Sequence, residues 1–323
     1  MIGNKTSGKK KSGGTDAPAP EKLCKELARR GPYKVDRGDL GIVGMSGPVY
    51  APRTGRDLPA VAFGHGWMLG SARYRDLLWH LASWGIVVAA PDGSRGPFPS
   101  DIDLGTDLRA ACTVLGGVRL GDGSVTVDPD RIGVAGHAFG AAAAVRAAST
   151  EILLGRPPVT VRALAALFPA PTTADLYPAA TTVTAPSLVL SGAAHLASLT
   201  GNALDLAENL AAGADPDAES VVLRTLVAST AADLVERPSL RSLVGINGAD
   251  KATHRAVRAQ LTGFFLHRLA GDERYAAFSD LDVTAGDAVA VDVPTAQRPR
   301  LDAMSQLLGS KEPSPKQETV TPS

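Results

Sequence analysis

Reactive chemistry in this chain, where it exists, should gather at Gly136-His137-Ala138-Phe139-Gly140. A short apolar run, Ile132–Ala135, leads into this stretch, and an Ala-rich helical segment leads out of it. Strand, sharp glycine-flanked turn and helix make the frame in which G-x-S-x-G presents a nucleophilic serine. The glycines let the strand and helix backbones pass closely while the central residue takes a strained conformation. Here the central residue is Ala138, whose methyl group has no lone pair to attack a carbonyl. The spacing predicts the frame of an acyl-transfer site without its nucleophile.

Other reactive side chains are scarce. The six histidines and two cysteines form no cluster with metal-ligand spacing, so neither a metal nor a cofactor is expected. Cys24 and Cys112 are too few for a disulfide framework, and Cys112 reads as a small core residue in an apolar helical run.

The elements that must position the turn follow from composition and pattern. At 323 residues, 44% apolar and 20% charged, the chain can bury a full core, which excludes global disorder. Lys plus Arg equals Asp plus Glu, 33 each, so no overall field draws nucleic acid, and no nucleic-acid partner is expected. Residues 1–20, with Lys9-Lys10-Lys11, read as a disordered basic tail, and 294–323 as a second flexible tail. A single domain is expected over 21–293. No apolar run reaches 18 residues and no secretory h-region is found, so a soluble, cytoplasmic protein without a transmembrane segment is expected.

Within the domain, Glu21–Arg30 reads as a short helix with Leu23 and Leu27 on one face and Gly31 as its stop. Ile42–Ala51 has the look of an early antiparallel edge. Continuous apolar runs at Leu58–Phe63 and Ile86–Pro91 suit strands covered on both faces. Between them a helix should run from a Ser71 cap to Trp84, where Gly85 ends it. Asp101–Leu115 supplies another amphipathic helix before the central turn. Further strands are expected at 161–168, 187–191 and 220–227, with helices at 203–212 and 253–269. The alternation predicts an α/β fold, a mostly parallel central sheet with helices on both faces. On such a sheet the Trp67 loop and the Ala138 turn should meet beyond the carboxyl ends of the strands.

The residues from Leu58-Pro-Ala-Val-Ala-Phe-Gly-His-Gly-Trp-Met to Leu69, then Tyr74, then His80-Leu-Ala-Ser-Trp-Gly-Ile-Val-Val-Ala-Ala-Pro91, closely resemble chlorophyllases. They are also similar to the polyester-hydrolase (cutinase-like) and dienelactone-hydrolase-like branch of the α/β-hydrolase fold. The resemblance runs from about Gly47 to Phe278, and its last part is Phe264-Phe-Leu-His-Arg-Leu-Ala-Gly-Asp-Glu-Arg-Tyr275. It implies an α/β-hydrolase fold and ester hydrolysis by a Ser-Asp-His triad. Carried over residue by residue, the serine falls on Ala138, the acid on His195 and the base on Thr230 or Ala231. All three are replaced. Loss of the serine alone removes about 10⁶ in turnover.

The backbone amides implied for an oxyanion pocket belong to Phe139 and to Trp67, which follows His65-Gly66, and backbone donors survive side-chain replacement. The resulting expectation is a pseudoenzyme that binds a protein partner or a lipid-like or acyl small molecule in a vestigial ester cleft lined by His65, Gly66, Trp67 and Phe139. Two alternatives stand beside it. One is an esterase with a displaced nucleophile, drawing on Ser229, Thr230 and His195; the other is a surface scaffold with a filled cleft.

Overall fold

The structure, a computed structural model, describes residues 18–170, 175–196, 203–214, 221–236 and 248–292. Residues 1–17 of the first expected tail and all of the second therefore lie outside the described residues. In chain order the elements are α1 (Pro20–Leu27), β1 (Val35–Asp39), β2 (Pro48–Pro52), β3 (Gly55–Gly64), α2 (Arg75–Ser83), β4 (Val87–Ala89) and α3 (Asp101–Gly117). There follow β5 (Val125–His137), α4 (Phe139–Ala148), β6 (Leu164–Leu167), α5 (Tyr177–Ala180), β7 (Ser187–Gly192) and α6 (Ala193–Leu196). The last are α7 (Ala203–Gly213), β8 (Val221–Leu226), α8 (Gly248–Arg268) and β9 (Ala288–Ala290).

Among the described residues the strands form one nine-stranded sheet in the order β1-β2-β4-β3-β5-β6-β7-β8-β9. From β4 to β8 every neighbouring pair is parallel, whereas β2 and β9 run antiparallel to their neighbours. The apolar runs are continuous because both faces of these strands are covered. Ala60 and Ala62 of β3 face one layer, with α3, α4, α5 and α7, while Val61 and Phe63 face the other, with α1, α2 and α8. The result is a mostly parallel sheet between two helical layers.

Register places the site. β3 and β5 pair Phe63 with Ala135 and Gly64 with Gly136, so the two strands end flush. The loop after β3 and the turn after β5 therefore emerge side by side at the carboxyl edge of the sheet.

Several expectations need correction. Gly31 is not the stop of α1, whose cap is Ala28. Its role is close approach, since a Cβ there would lie 2.1 Å from the Ser83 carbonyl oxygen. Ser71 does not cap α2; the chain enters through a 3₁₀ turn, and the Ser71 amide donates to Asp92 at 2.7 Å. The early edge expected over 42–51 holds the end of a 3₁₀ turn, Leu40–Val43, and then β2. β2 is antiparallel but lies inside the sheet, with the preceding β1 as its edge; the Asp39 carboxylate accepts from the Gly41 amide. Ile42, placed in the strand by its apolar neighbours, lies on that turn and is 90% exposed. The strand expected over 161–168 is confined to Leu164–Leu167.

Two buried arginines fix the layer that carries α4. Arg109 of α3 donates to the carbonyls of Arg146, Ala147, Ser149 and Glu151, which closes the carboxyl end of α4. Arg146 in turn pairs with Asp101 at 2.5 Å and Glu151 at 3.3 Å.

Candidate functional site

Ala138 joins β5 directly to α4 with φ 50° and ψ −113°. An L-residue reaches this conformation only under local constraint, at a cost of about 1–3 kcal/mol. Its flanking glycines supply the constraint. A Cβ on Gly136 would stand 1.9 Å from the Gly140 carbonyl oxygen, and one on Gly140 would stand 2.3 Å from that of Gly64. The Ala138 amide donates to the Leu167 carbonyl of β6 at 2.9 Å, which anchors the turn from the other side. Ala138 and Phe139 are half-buried.

Strain is not confined to this turn. Of the six described non-glycine residues with positive φ, Asp57 and Leu154 lie elsewhere, while Met68, Ser94, Ala138 and Phe168 follow β3, β4, β5 and β6. Four neighbouring parallel strands thus end in strained loops at one edge of the sheet.

The turn is braced by a buried polar chain. The Gly66 amide donates to Tyr74 Oη at 3.0 Å, and Tyr74 Oη lies 2.7 Å from His137 Nδ1. Burial drives the His137 imidazole down to about 4, although the nearby Ala231 carbonyl opposes this, so the ring is neutral at pH 7. The neutral ring accepts the Tyr74 hydroxyl proton at Nδ1, while burial raises the phenol above its ordinary range. Phe63, Tyr74, His137 and Phe168 continue this contact as a run of rings with centroids 5.0, 5.5 and 6.1 Å apart. One structural unit therefore joins β3, its following loop, the segment before α2, the turn after β5 and the turn after β6. The pair Tyr74–His137 is 63 residues apart, and no sequence signal marks it.

His65 and Gly66 are buried behind this edge. The ring nitrogens of His65 lie 2.9 and 2.8 Å from the carbonyls of Gly66 and Gly93, which ties the β3 loop to the loop after β4. The carboxyl of Asp107, raised by burial and by Asp103, packs against Gly93 behind the same loop. Trp67, by contrast, points out, 59% exposed, next to Met68 at 61%. Trp79 and Trp84 serve as packing: Arg30 lies over the Trp79 ring at 3.6 Å, and the Trp84 indole donates to the Arg29 carbonyl.

The positions to which the resemblance assigns the acid and the base come together at the ends of β7 and β8. His195 is exposed on the four-residue α6, and its Nδ1 would stand 3.3 Å from a Cβ on Gly192; the Ser229 carbonyl approaches the same point. Thr230 caps a 3₁₀ turn, Ala231–Leu234, in which its amide and hydroxyl both donate to Asp233 Oδ2 at 2.8 Å. Ser229 Oγ lies 2.7 Å from Thr253 Oγ1. Both hydroxyls are thus engaged in holding the loop, and neither contacts an imidazole. Among the described residues His137 Nε2 is buried without a hydrogen-bond partner.

Cys112 is fully buried, its thiol pushed up to about 12, and serves as core. Among the described residues no group of three or more His, Cys, Asp or Glu side chains could hold a metal ion. No described helix is long and apolar enough to cross a membrane. A comparison with known protein families finds no match, and no curated protein matches the chain.

Proposed function

We propose that this chain is a catalytically inactive member of the α/β-hydrolase fold, in the chlorophyllase, polyester-hydrolase and dienelactone-hydrolase-like branch. In this reading it binds a lipid-like or acyl ligand, or a protein partner, in the vestigial ester cleft. The observation that carries the reading is the conformation of Ala138, at φ 50° between glycines that admit no side chain. Strain of this kind persists where surrounding structure over-determines it, as at reactive and ligand-clamping turns. The attacking hydroxyl that such a turn presents in G-x-S-x-G is missing.

Supporting features agree in position. Ala138, His195 and Thr230 follow β5, β7 and β8 in the chain order nucleophile, acid, base of that fold. Trp67 lies between β3 and α2, the loop from which the fold takes its second oxyanion donor, and Phe139 begins α4 with an amide that precedes the helix's own hydrogen-bond ladder. A carboxylate or carbonyl oxygen is the group those amides would receive, with an acyl chain along Trp67. Neither Thr230 nor Ser229 offers a free hydroxyl for a displaced nucleophile.

Calorimetric titration with octanoate and with octanol tests the reading. Saturable binding of octanoate, at least about tenfold tighter than octanol, is the expected result for amides that receive an oxyanion. Absence of saturable binding by both would overturn the ligand-binding form of the proposal.

A further inference from the structure

We propose that the carboxyl edge of the sheet carries a lipid-docking surface, in which exposed apolar side chains on three neighbouring loops insert into the interfacial layer of an anionic membrane. Chain connectivity sets the three loops side by side. The 3₁₀ turn Leu40–Val43 leads into β2, whose first residues pair with the last residues of β4 in antiparallel sense. That turn therefore lies beside the loops that follow β4 and its parallel neighbour β3. The Asp92 amide donates to the Ser46 carbonyl at 2.8 Å, and a Cβ on Gly47 would stand 2.2 Å from the Ala90 carbonyl oxygen. On the other side, His65 Nε2 lies 2.8 Å from the Gly93 carbonyl, and the Ser71 amide donates to Asp92 at 2.7 Å. The three loops are one preformed surface, so docking costs little loop ordering.

The exposed tips are apolar. Five of the eleven large apolar side chains exposed among the described residues sit here: Ile42, Val43, Trp67, Met68 and Phe98, the last 96% exposed. Such a gathering marks an interaction surface, whereas scattered single residues do not. Charge is nearly absent from the same loops. Residues 41–47, 64–72 and 93–100 contain one Lys or Arg, Arg95, and no Asp or Glu. The carboxylates at the loop bases are turned to backbone, Asp39 to the Gly41 amide and Asp92 to the Ser71 amide, with Arg95 at 3.9 Å from Asp92.

A protein partner is held in register by charged and hydrogen-bonding groups across the interface. A lipid surface demands no register; it rewards apolar and aromatic tips that reach headgroup depth, and it repels carboxylates. The three loops meet the second set of requirements and lack the first. Ile42, Val43 and Phe98 have no part in the ester-cleft reading, so the surface stands independently of it.

Co-sedimentation of the full chain with vesicles of phosphatidylcholine and phosphatidylglycerol tests the surface. Saturable partition is expected, with quenching of tryptophan emission by brominated acyl chains that disappears in Trp67→Phe. Ile42→Ser together with Phe98→Ser, both at exposed positions, should weaken partition about tenfold or more, while the melting temperature stays within a few degrees of the parent. No partition up to about 10 mM lipid would overturn the surface, as would quenching that survives Trp67→Phe. Unchanged partition in the double variant would assign the binding to Lys9-Lys10-Lys11 instead. A dimer that the double variant dissolves in sedimentation velocity would give the loops to a second copy and equally overturn the proposal. Octanoate titration reads the cleft separately, so failure of one reading leaves the other standing.

Discussion

The carboxyl edge of the sheet and the arginine knot under α4 differ in where their structural information lies. At the edge it lies in the backbone: φ is 54° at Met68, 52° at Ser94, 50° at Ala138 and 45° at Phe168. The side chains displayed there at Ala138, His195 and Thr230 are a methyl, an exposed imidazole and a hydroxyl engaged with Asp233. In the knot the information lies in side chains. Arg109 and Arg146, 2% and 4% exposed, hold carbonyls and carboxylates from α4 to the segment before α5. Close glycine packing therefore fixes this frame independently of the residue displayed on it. The knot has no such redundancy, since removing one guanidinium leaves several buried carbonyls without partners.

The largest expected effect breaks the knot. Arg109→Ala should destabilise the fold by about 3–5 kcal/mol, through lost carbonyl partners and a cavity, read as a shift in the urea midpoint. A cost below about 1 kcal/mol would show that α4 is held by its apolar face alone.

Acid should act on the rim and on the α1–α2–α8 layer together. Burial holds both His137 and His80 at about 4, below the ordinary histidine value near 6.5. Between these values the unfolded chain binds more protons than the folded one. The stability present above pH 6.5 is therefore lost as pH falls toward 4, by up to roughly 3 kcal/mol for each histidine. Urea midpoints at pH 7 and pH 4.5 measure the drop, and His80→Leu should reduce it by about half. A midpoint that does not move over this range would contradict the buried, neutral state of both rings.

Two smaller effects probe the rim itself. Thr230→Ala should cost about 1 kcal/mol as a lost cap, whereas a larger loss would give the hydroxyl a role beyond the turn it closes. Ala138→Gly should stabilise the fold by about 1 kcal/mol, because glycine takes positive φ without the Cβ penalty. A destabilised Ala138→Gly would mean that the methyl packs in a way the strain does not reveal.

Much of the frame was legible in the sequence. Buried parallel strands read as continuous apolar runs, and Gly136 and Gly140 marked the turn through their spacing. The edge strands were not legible: β1, Val-Asp-Arg-Gly-Asp, exposes four of its five residues, and β9 has only three. Neither carries a periodic apolar signal. Arg109 follows Leu108 in the apolar face of α3, where one-dimensional pattern cannot separate a buried cation from an exposed one. The Thr230–Asp233 cap was present in the sequence as a threonine three residues before an acid. Tyr74–His137 and the apolar surface of three loops depend on contacts between distant segments, which no local spacing encodes.

The central claim is that the rim keeps an acyl-transfer frame without its chemistry. Hydrolysis of p-nitrophenyl butyrate by the parent chain and by Ala138→Ser tests it most directly. Both should match the buffer rate, since the restored hydroxyl would have no base to take its proton: Thr230 cannot act as one, and His137 is committed to Tyr74. Turnover by the parent chain would reveal a second nucleophile. Brisk turnover by Ala138→Ser alone would show that an acid and a base still serve the turn, and the account of a disarmed frame would be wrong.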